Sequence, residues 1–466
     1  MTPFQHGRGG SAHRRPWPAV VAIALMLVLA ACGTVPHAGS DVTATHPAPS
    51  VPTATSPPAP TAGFPGPLVP MREVYDVTFV RPSSGWGLAS EDGGARHVVV
   101  RSTDGGRTFR TWGGALPSVA PPSGASPTSL IVLLGGNGVG ANVADAVVSA
   151  TGSNSVLVSS DRLRSWHRVN FPAPVLAVAG APGPGLPGAP AALATGVADQ
   201  PLWVLVGPAP ASEAASPSAL LRPPGELAVL QLYPGSSTWK GPYGGLIGPR
   251  WTGRATVSRA QFVRLSADDG YVVVDGTVVG PSAPGGSAQF TLLQRTTTDA
   301  AAWQEVPEPC GTHDLATPLS AVSLQDLWLG CAGEPGAGNQ VKTVERSTDG
   351  GTSWTTAWDG VPRGVAGAVG ARSGAASSSA SANMTAGYLV AVVATSVTSA
   401  FVALGRGGLL RTSDAGARWQ VAVPHIGGSG GVLQLDVLGP DTAWALVGGG
   451  RLWATTDGRA WSQIAG

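Results

Sequence analysis

The sequence predicts an all-β fold built from repeated four-stranded units. Three observations lead to this prediction. Glycine and proline, 66 and 42 of the 466 residues, disfavour long helices, and charged residues make up only 12% of the chain. An octapeptide of the form Ser/Thr-x-Asp-x-Gly-x-x-Trp/Phe recurs along the chain. Short β-rich runs led by an aromatic residue precede several of its copies, and four antiparallel strands per repeat form the blade of a β-propeller.

The first thirty-one residues are expected to be a secretory signal peptide and not part of the fold. A basic start, with no acidic residue before Cys32, is followed by an apolar run over 19–31. That run is shorter than the about 20 residues that a permanent membrane-spanning helix needs. The segment Leu29–Gly33 resembles the lipobox of bacterial lipoproteins, which implies cleavage before Cys32, transfer of diacylglycerol to its sulfur, and modification of the protein with palmitate. The alternative is a plain signal peptide with an unrelated cysteine.

Residues 32–67 are predicted to be the lipidated cysteine and a disordered linker. Proline, alanine and threonine dominate this segment, Asp41 is its only acid, and it has neither lysine nor arginine. An extended chain of this length could hold a domain roughly 100 Å from its lipid anchor. The sequence therefore predicts three parts: a lipoprotein signal peptide (1–31), a linker (32–67) and a propeller domain (68–466) held on the extracytoplasmic side of the cell membrane.

The repeated octapeptide predicts a tight hairpin in which polar side chains bond the turn backbone. Its full copies are Ser102–Phe109, Ser347–Trp354 and Thr412–Trp419, and its degenerate copies are Ser159–Trp166, Thr297–Trp303 and Thr455–Trp461. The aspartate and the Ser/Thr hydroxyl can bond the turn, the glycine permits its backbone conformation, and the aromatic buries the hairpin. The predicted structural pairs are Asp104 with Phe109, Asp161 with Trp166, Asp299 with Trp303, Asp349 with Trp354, Asp414 with Trp419, and Asp457 with Trp461. Three arginines, each three residues before a box aspartate, are expected to stack on the box aromatic or to pair with a neighbouring strand: Arg101, Arg346 and Arg411.

The number of blades follows from the spacing of the repeats. The interval between Asp161 and Asp299 is more than twice as long as that between any other successive pair of box aspartates. Within it, Leu202–Val206 and Leu227–Leu232 have the composition of strands, and Gly235–Trp239 is interpreted as an eroded hairpin. Seven blades are therefore predicted, with six as the alternative. Segments near 115–128, 178–190 and 361–386, rich in small residues and proline, are predicted loop insertions.

The two cysteines after Cys32 are predicted to form a disulfide, as expected in an oxidising compartment. Cys310 and Cys331 would close a loop of about 20 residues, which the chain-entropy model values at about 3 kcal/mol. The alternative is a pair of buried free thiols. No zinc or other metal site and no cofactor motif is predicted. With 28 basic and 27 acidic residues, the chain is not expected to bind nucleic acid.

The octapeptide resembles the Asp-box, or BNR repeat, of sialidases and sortilin-like receptors. The succession Gly-Trp-x-x and then Arg-Ser-Thr-Asp-Gly-Gly-x-x-Trp resembles most the photosystem II assembly-factor type of BNR propeller, over residues 72–466. Proteins of that type are binding scaffolds, while propellers in general serve many functions. Together with the predicted lipid anchor, it leads us to expect a monomeric, membrane-anchored scaffold that binds a protein or a cell-envelope glycan.

The alternative function is that of a sialidase-like exo-glycosidase. Such an enzyme needs a tyrosine nucleophile with an acidic partner and three arginines for the substrate carboxylate. The nearest equivalent of the family's Arg-Ile-Pro motif, Val80–Pro82, lacks the isoleucine. None of the five tyrosines stands beside a recognisable Glu/Arg constellation: Tyr75, Tyr233, Tyr243, Tyr271 and Tyr388. His313 with Asp314, Asp268–Gly270 and Gly427–Gly431 are interpreted as loops or turns, so the chain is predicted not to be an enzyme.

Overall fold

The computed structural model describes residues 66–94, 96–117, 129–134, 143–149, 153–180, 195–197, 200–207, 227–233, 236, 238–241, 254–280, 286–311, 318–333, 340–360, 387–406, 408–423 and 431–466. Several predicted features lie outside these residues: the signal peptide, the linker through residue 65 with Cys32, most of the insertions, Tyr243, His313, Asp314 and most of Gly427–Gly431. No helix within the described part is long and apolar enough to span a membrane.

Within the described residues, thirty strands form seven sheets, which confirms the prediction of seven blades. Blade 1 contains β1 (Leu68–Val69), β2 (Val74–Arg81), β3 (Ser84–Glu91), β4 (Arg96–Ser102) and β5 (Phe109–Ala115). Blade 2 contains β6 (Ser129–Leu134), β7 (Val143–Ser149), β8 (Ser155–Ser159), β9 (His167–Asn170) and β11 (Thr195–Val197). Blade 3 contains β10 (Val175–Ala179), β12 (Leu202–Val206), β13 (Ala228–Leu232) and β14 (Trp239–Lys240), and it fills the long interval between two boxes.

The remaining four blades each take four consecutive strands. Blade 4 contains β15 (Arg254–Arg264), β16 (Asp269–Val279), β17 (Ser287–Thr297) and β18 (Gln304–Glu305). Blade 5 contains β19 (Leu319–Ala321), β20 (Leu327–Ala332), β21 (Lys342–Ser347) and β22 (Thr355–Trp358). Blade 6 contains β23 (Leu389–Ala394), β24 (Ala400–Leu404), β25 (Leu409–Thr412) and β26 (Gln420–Val423). Blade 7 contains β27 (Val432–Val437), β28 (Ala443–Val447), β29 (Arg451–Thr455) and β30 (Ser462–Ala465). Two 3-10 turns, Met71–Glu73 and Asp92–Gly94, connect strands of blade 1.

The hydrophobic core consists of seven clusters, each between two successive blades, so the blades form a closed ring. Strands within a blade are counted from the inner one, which is β2 in blade 1 and the first strand in each other blade; in blade 2, β11 is added at the edge beside β6. Inner strands of neighbouring blades contact one another around the channel, as β15 does with β10 and β19. Between blades 7 and 1 the contact is made by side chains, because no strand is shared there. Phe79 stacks on Trp444 with ring centroids 3.8 Å apart, and the Trp444 indole donates to the Gly105 carbonyl. This packing closes the ring.

The aromatic residue that ends each box hairpin packs between its own blade and the preceding one. Phe109, Trp166, Trp303, Trp354, Trp419 and Trp461 each belong to, or pack on, the cluster shared with the preceding blade. Trp239 has the same position in blade 3, where no box was recognised. The Trp419 indole donates to the Ala357 carbonyl of blade 5, and that of Trp239 donates to the Asn170 carbonyl of blade 2. The repeated aromatic therefore joins blades to one another.

Polar side chains link the inner strands across the blade boundaries. Inner strands of adjacent blades form no ladder with one another, so their backbone groups need side-chain partners. Asp76 accepts from the Leu130 N–H at 2.9 Å, which joins blade 1 to blade 2. The Ser320 hydroxyl accepts from the Ala394 N–H at 3.0 Å, which joins blade 5 to blade 6. These bonds hold the wall of the channel at fixed spacing.

Candidate functional site

The box hairpins lie at one end of the ring, and their carboxylates bond the turns. Asp349 accepts from the Ser347 hydroxyl at 2.8 Å and from the backbone N–H and hydroxyl of Ser353 at 2.9 and 2.6 Å. These hydrogen bonds lower the pKa of Asp349 to about 2; the bond from the Ser353 hydroxyl has the largest effect, and those from the Ser353 N–H and the Ser347 hydroxyl come next. Asp104, Asp161, Asp414 and Asp457 also accept from their own turns. Gly106 has a φ of 95°, and a Cβ there would meet Leu452 of blade 7 at 2.6 Å, so the box needs glycine there for two reasons.

Asp299 is the exception among the predicted box aspartates. Its carboxylate accepts from the Trp203 indole at 2.9 Å and from the Gln231 amide at 2.7 Å, both in blade 3. The Thr298 hydroxyl bonds the turn instead, by accepting from the Ala302 N–H at 2.9 Å. Asp299 precedes its aromatic by one residue fewer than Asp104 does, so Thr298 occupies the position that aspartate has in the full boxes. The structure therefore moves the box register in blade 4 by one residue.

The three arginines before the full boxes stack on aromatics of the neighbouring strand and not on the box aromatics. The Arg101 guanidinium lies 5.1 Å from the Trp86 ring centroid, Arg346 lies 5.6 Å from that of Trp328, and Arg411 lies 5.7 Å from that of Phe401. Each pair is directly opposite in the ladder between the second and third strands. Directly opposite residues on one face of a sheet are close enough to stack in this way. Arg101 also lies 4.7 Å from the ring centroid of Trp112 on β5.

Three of the five tyrosines donate or accept within the fold. Burial raises the pKa of Tyr75, whose hydroxyl lies 3.0 Å from His97 Nδ1. The Tyr271 hydroxyl donates to the Leu324 carbonyl at 2.6 Å, and that of Tyr233 donates to Gln231 at 3.3 Å. Cys310 and Cys331 are joined by a disulfide and are buried between blades 4 and 5. Within the described residues no three His, Cys, Asp or Glu side chains come together as a possible metal site.

A cavity of about 780 Å³ opens at the other end of the channel, among the inner strands of blades 3 to 6. We call it the channel-mouth cavity; its lining is Leu176, Ser258, Arg259, Ala260, Gln261, Pro318, Gln340, Tyr388, Leu389 and Val390. Pro318 and Tyr388 stand immediately before inner strands, and Gln340 connects a second strand to a third. The box hairpins connect third strands to fourth ones. Because neighbouring strands are antiparallel, the cavity and the boxes lie at opposite ends of the ring.

The amide side chains in this lining are held in place. Gln261 both donates to the Leu319 carbonyl at 2.9 Å and accepts from its N–H at 3.0 Å. Gln340 accepts from the Leu389 N–H at 2.7 Å. The Lys342 ammonium donates to the carbonyls of Gln340 and Gly387, both at 2.9 Å, and burial lowers the pKa of Lys342 to about 8. The rim between blades 5 and 6 is therefore preformed.

Two polar side chains in the lining point to chemistry beyond the fold. A β-bulge lies between Val257 and Arg259, and the bulged residue, Ser258, donates its hydroxyl to the Asp275 carbonyl at 3.1 Å. A β-bulge re-aims the side chain that follows it, which here is that of Arg259. Arg259 is exposed, and it is the charged residue of the described lining. The Tyr388 ring is half-buried, with the exposed Arg406 guanidinium 5.9 Å from its centroid. Among the described residues, no side chain or carbonyl accepts from Arg259 or from the Tyr388 hydroxyl.

Sequence reasoning did not select Arg259, and it considered Tyr388 only as one of five tyrosines. Neither residue belongs to a repeated motif, because both lie on inner strands whose composition varies from blade to blade. Only the ring brings them to one cavity.

The ring also brings Asp76 of blade 1 near Asp436 of blade 7. Burial raises the pKa of Asp76 to about 6; burial, together with the Asp76 charge, raises that of Asp436 to about 7.

No protein-family model matches the chain, and no curated protein matches it. Among solved structures, the chain is similar to YCF48 bound to D1 peptide, with 13% identity over 84% of this chain and 96% of that one and a TM-score of 0.45. It is also similar to YCF48 from Cyanidioschyzon merolae, with 14% identity over 85% and 99% of the two chains and a TM-score of 0.43. A PL25 ulvan lyase is 9% identical over 86% and 95%, with a TM-score of 0.41. The seven blades themselves establish the fold.

Proposed function

We propose that this chain is a lipid-anchored, extracytoplasmic β-propeller that binds a protein or a cell-envelope glycan at the channel-mouth cavity and catalyses no reaction. The observation that carries the proposal is the cavity itself. Its described lining combines five apolar residues with Arg259, Tyr388 and three other polar residues in a volume of about 780 Å³. Ligand sites are usually cavities that join apolar surface with a few polar groups that fix the orientation of the ligand.

The rigidity of this lining supports binding. Gln261, Gln340 and Lys342 fix the spacing of three blades before any ligand arrives. A preformed site loses little conformational entropy on association, so more of the contact energy remains as affinity. The box carboxylates other than that of Asp299, in contrast, bond their own turns and serve the fold.

The proposed location rests on the N-terminal lipobox and on the disulfide. A disulfide between Cys310 and Cys331 fits an oxidising compartment outside the cytoplasm. Acylation of Cys32 would hold the protein at the membrane, since each buried methylene contributes about 0.8 kcal/mol. The linker would then let the cavity reach partners in the envelope.

The test is affinity capture from detergent-solubilised envelope with the full-length lipoprotein as bait. Wild type and the box-face control Arg418→Gln should retain the same species, and Arg259→Gln should lose it. Retention by all three baits alike would contradict binding at this cavity.

A fluorogenic sialoside incubated with the purified protein should show no turnover above background. Turnover that a Tyr388→Phe substitution abolishes would replace binding with catalysis as the function of the same cavity.

A further inference from the structure

We propose that the outer box end of blades 1 and 2 is a binding site for the phosphate groups of anionic membrane lipids. Arg101 and Arg110 of blade 1 and Arg162 and Arg164 of blade 2 form it, and we call these four residues the arginine cluster. The box end is opposite the channel-mouth cavity, so this inference goes beyond the proposed function. It shares with that proposal only the lipid anchor, which would keep the membrane within reach of the site.

The first support is the environment of Arg101. Its guanidinium lies against two indole rings, 5.1 Å from the centroid of Trp86 and 4.7 Å from that of Trp112. Its Nε is buried, and no described atom accepts a hydrogen bond from it. Burial also lowers the pKa of Arg101. A partly desolvated cation that lacks an anionic partner favours the binding of an anion from outside the chain.

The second support comes from the equivalent arginines of blades 5 and 6, which both lie near a carboxylate. Arg346 lies 4.0 Å from Asp326 of its own blade, and Arg411 lies 3.6 Å from an aspartate of blade 7. Asp326 stands two residues before the tryptophan on which Arg346 stacks. In blade 1 the residue at that position is Ser84, and Arg101 has no ion pair within the described residues. An anion from outside the chain could therefore take in blade 1 the role that an acid has in two other blades.

The third support is that three exposed arginines stand around Arg101. Arg110 is directly opposite it in the ladder between β4 and β5. The Trp112 indole donates to the Arg162 carbonyl at 3.1 Å, so the box turn of blade 2 packs against β5. Arg162 and Arg164 lie on that turn and are exposed, as Arg110 is. Two blades therefore contribute guanidinium groups to one region, and such groups bind phosphate oxygens through paired hydrogen bonds.

The charge of these two hairpins is not balanced by their acids. From three residues before the box aspartate to eight residues after it, blades 1 and 2 each have three arginines and one aspartate. The same segments of blades 4, 5 and 7 have no excess of basic residues, and that of blade 6 has an excess of one. Asp104 and Asp161 accept from their own turns. Positive charge is therefore concentrated at the box end of two adjacent blades, where it attracts an anionic surface.

The position of the tether favours the membrane as the source of the phosphates. Leu68 of β1 pairs with Arg110 of β5, and the Arg110 guanidinium donates to the Gly66 carbonyl at 3.3 Å. The predicted linker therefore joins the propeller beside the arginine cluster. An acyl group on Cys32 would make the encounter of the cluster with lipid headgroups intramolecular, which raises their effective concentration. An anion in solution lacks this advantage.

The arginine cluster is expected to orient the propeller and not to anchor it. A basic residue beside an anionic membrane strengthens binding by a factor of about five, so the cluster alone is too weak to hold the chain without an acyl group. With the anchor in place, the cluster would hold the box end of blades 1 and 2 on the membrane. The channel-mouth cavity, at the opposite end of the ring, would then face away from the lipid.

The experiment uses the chain from residue 33 onward, which lacks the signal peptide and the acyl group. It keeps the whole described core, because the seven clusters lie between Val69 and Ala465. Sedimentation with vesicles measures its partition between water and lipid. We expect binding to vesicles of phosphatidylcholine mixed with phosphatidylglycerol, no binding to phosphatidylcholine alone, and weaker binding as salt is added.

The three exposed residues of the cluster are replaced together, as Arg110→Gln, Arg162→Gln and Arg164→Gln. This variant should bind the anionic vesicles about 100-fold more weakly, because each arginine contributes a factor of about five. Arg101→Gln should weaken binding about fivefold, and thermal unfolding checks that this variant is folded.

The matched control removes three exposed arginines elsewhere on the ring: Arg96→Gln, Arg418→Gln and Arg459→Gln. It should bind as wild type does. Equal losses in the two triple variants would show a response to net charge alone and would overturn the proposal. Binding to phosphatidylcholine alone, or to neither kind of vesicle, would overturn it as well.

Inorganic phosphate distinguishes a lipid surface from a site for the free anion. It should displace the protein from the vesicles no better than chloride at the same ionic strength, because one phosphate spans few of the arginines. Complete displacement by phosphate would contradict the assignment to lipid. The soluble chain tests neither the acyl group nor the cavity, so a negative result here leaves the proposed function intact. Envelope capture that does not depend on Arg259 would in turn leave this inference intact.

Discussion

The buried carboxylates at the closure of the ring should make the stability of this propeller depend on pH. Asp436 accepts from the Phe79 N–H at 2.6 Å and Asp76 from the Gln434 amide at 2.8 Å, and both aspartates lie between blades 7 and 1. Burial raises the pKa of Asp436 from 3.8 to about 7. The folded protein therefore keeps a proton that the unfolded chain releases above pH ~4. Stability should fall as pH rises from ~4 to ~7 and then level off.

Asp436→Asn removes the charge and keeps an oxygen that can accept from Phe79. A pKa difference of about three units corresponds to ~4 kcal/mol, so this variant should exceed wild type by up to that amount at pH 8 and match it near pH 4. For a domain of this size the gain is about 5 °C in Tm. Thermal unfolding followed by tryptophan fluorescence between pH 4 and 8 measures it. The control is Asp92→Asn, an exposed aspartate whose φ of 54° asparagine also tolerates. A variant curve parallel to wild type, or a less stable variant at pH 8, would refute the reasoning.

Three further changes test the anchor, the blade contacts and the disulfide. Cys32→Ala should release the protein from the membrane fraction, as immunoblotting after cell fractionation would show; a variant that stays in the membrane would contradict acylation at this residue. Trp419→Ala empties a buried position between blades 5 and 6 and should lower the free energy of unfolding by about 3 to 5 kcal/mol, whereas Trp419→Phe should lower it much less. Urea unfolding measures both variants, and equal losses of stability would argue against a packing role. The double substitution Cys310→Ser with Cys331→Ser should lower stability by about 3 kcal/mol in the same assay, and reductant should then have no further effect; an unchanged midpoint would show that blades 4 and 5 hold this loop without the bond.

Much of the fold could be predicted from the sequence because the repeat is local. Each box places its Ser/Thr, aspartate, glycine and aromatic within one hairpin, so their spacing carries the structural information. The strand before Trp239 and its aromatic were recognisable even though blade 3 has no box. Where the pattern erodes, as at Thr298 and Asp299, the motif assigns the turn-bonding role to the wrong residue, because a threonine stands at the aspartate position of the full boxes and its hydroxyl bonds the turn.

The candidate site could not be predicted in this way. Arg259 and Tyr388 belong to blades 4 and 6, and no local pattern connects inner strands that far apart in the chain. The same holds for Asp76 and Gln434, which are 358 positions apart and meet only because blade 7 packs on blade 1.

What the sequence by itself determined is therefore the blade: hairpins, strand alternation and the aromatic that each repeat offers to its neighbour. What only the tertiary structure decided is the ring, with its channel-mouth cavity, its buried acids and the cation that no described carboxylate pairs with. The physical reason is that a hairpin is held by bonds between residues a few positions apart, whereas a channel wall is assembled from one strand of each blade. The chemistry of that wall depends on which strands the closed ring brings together.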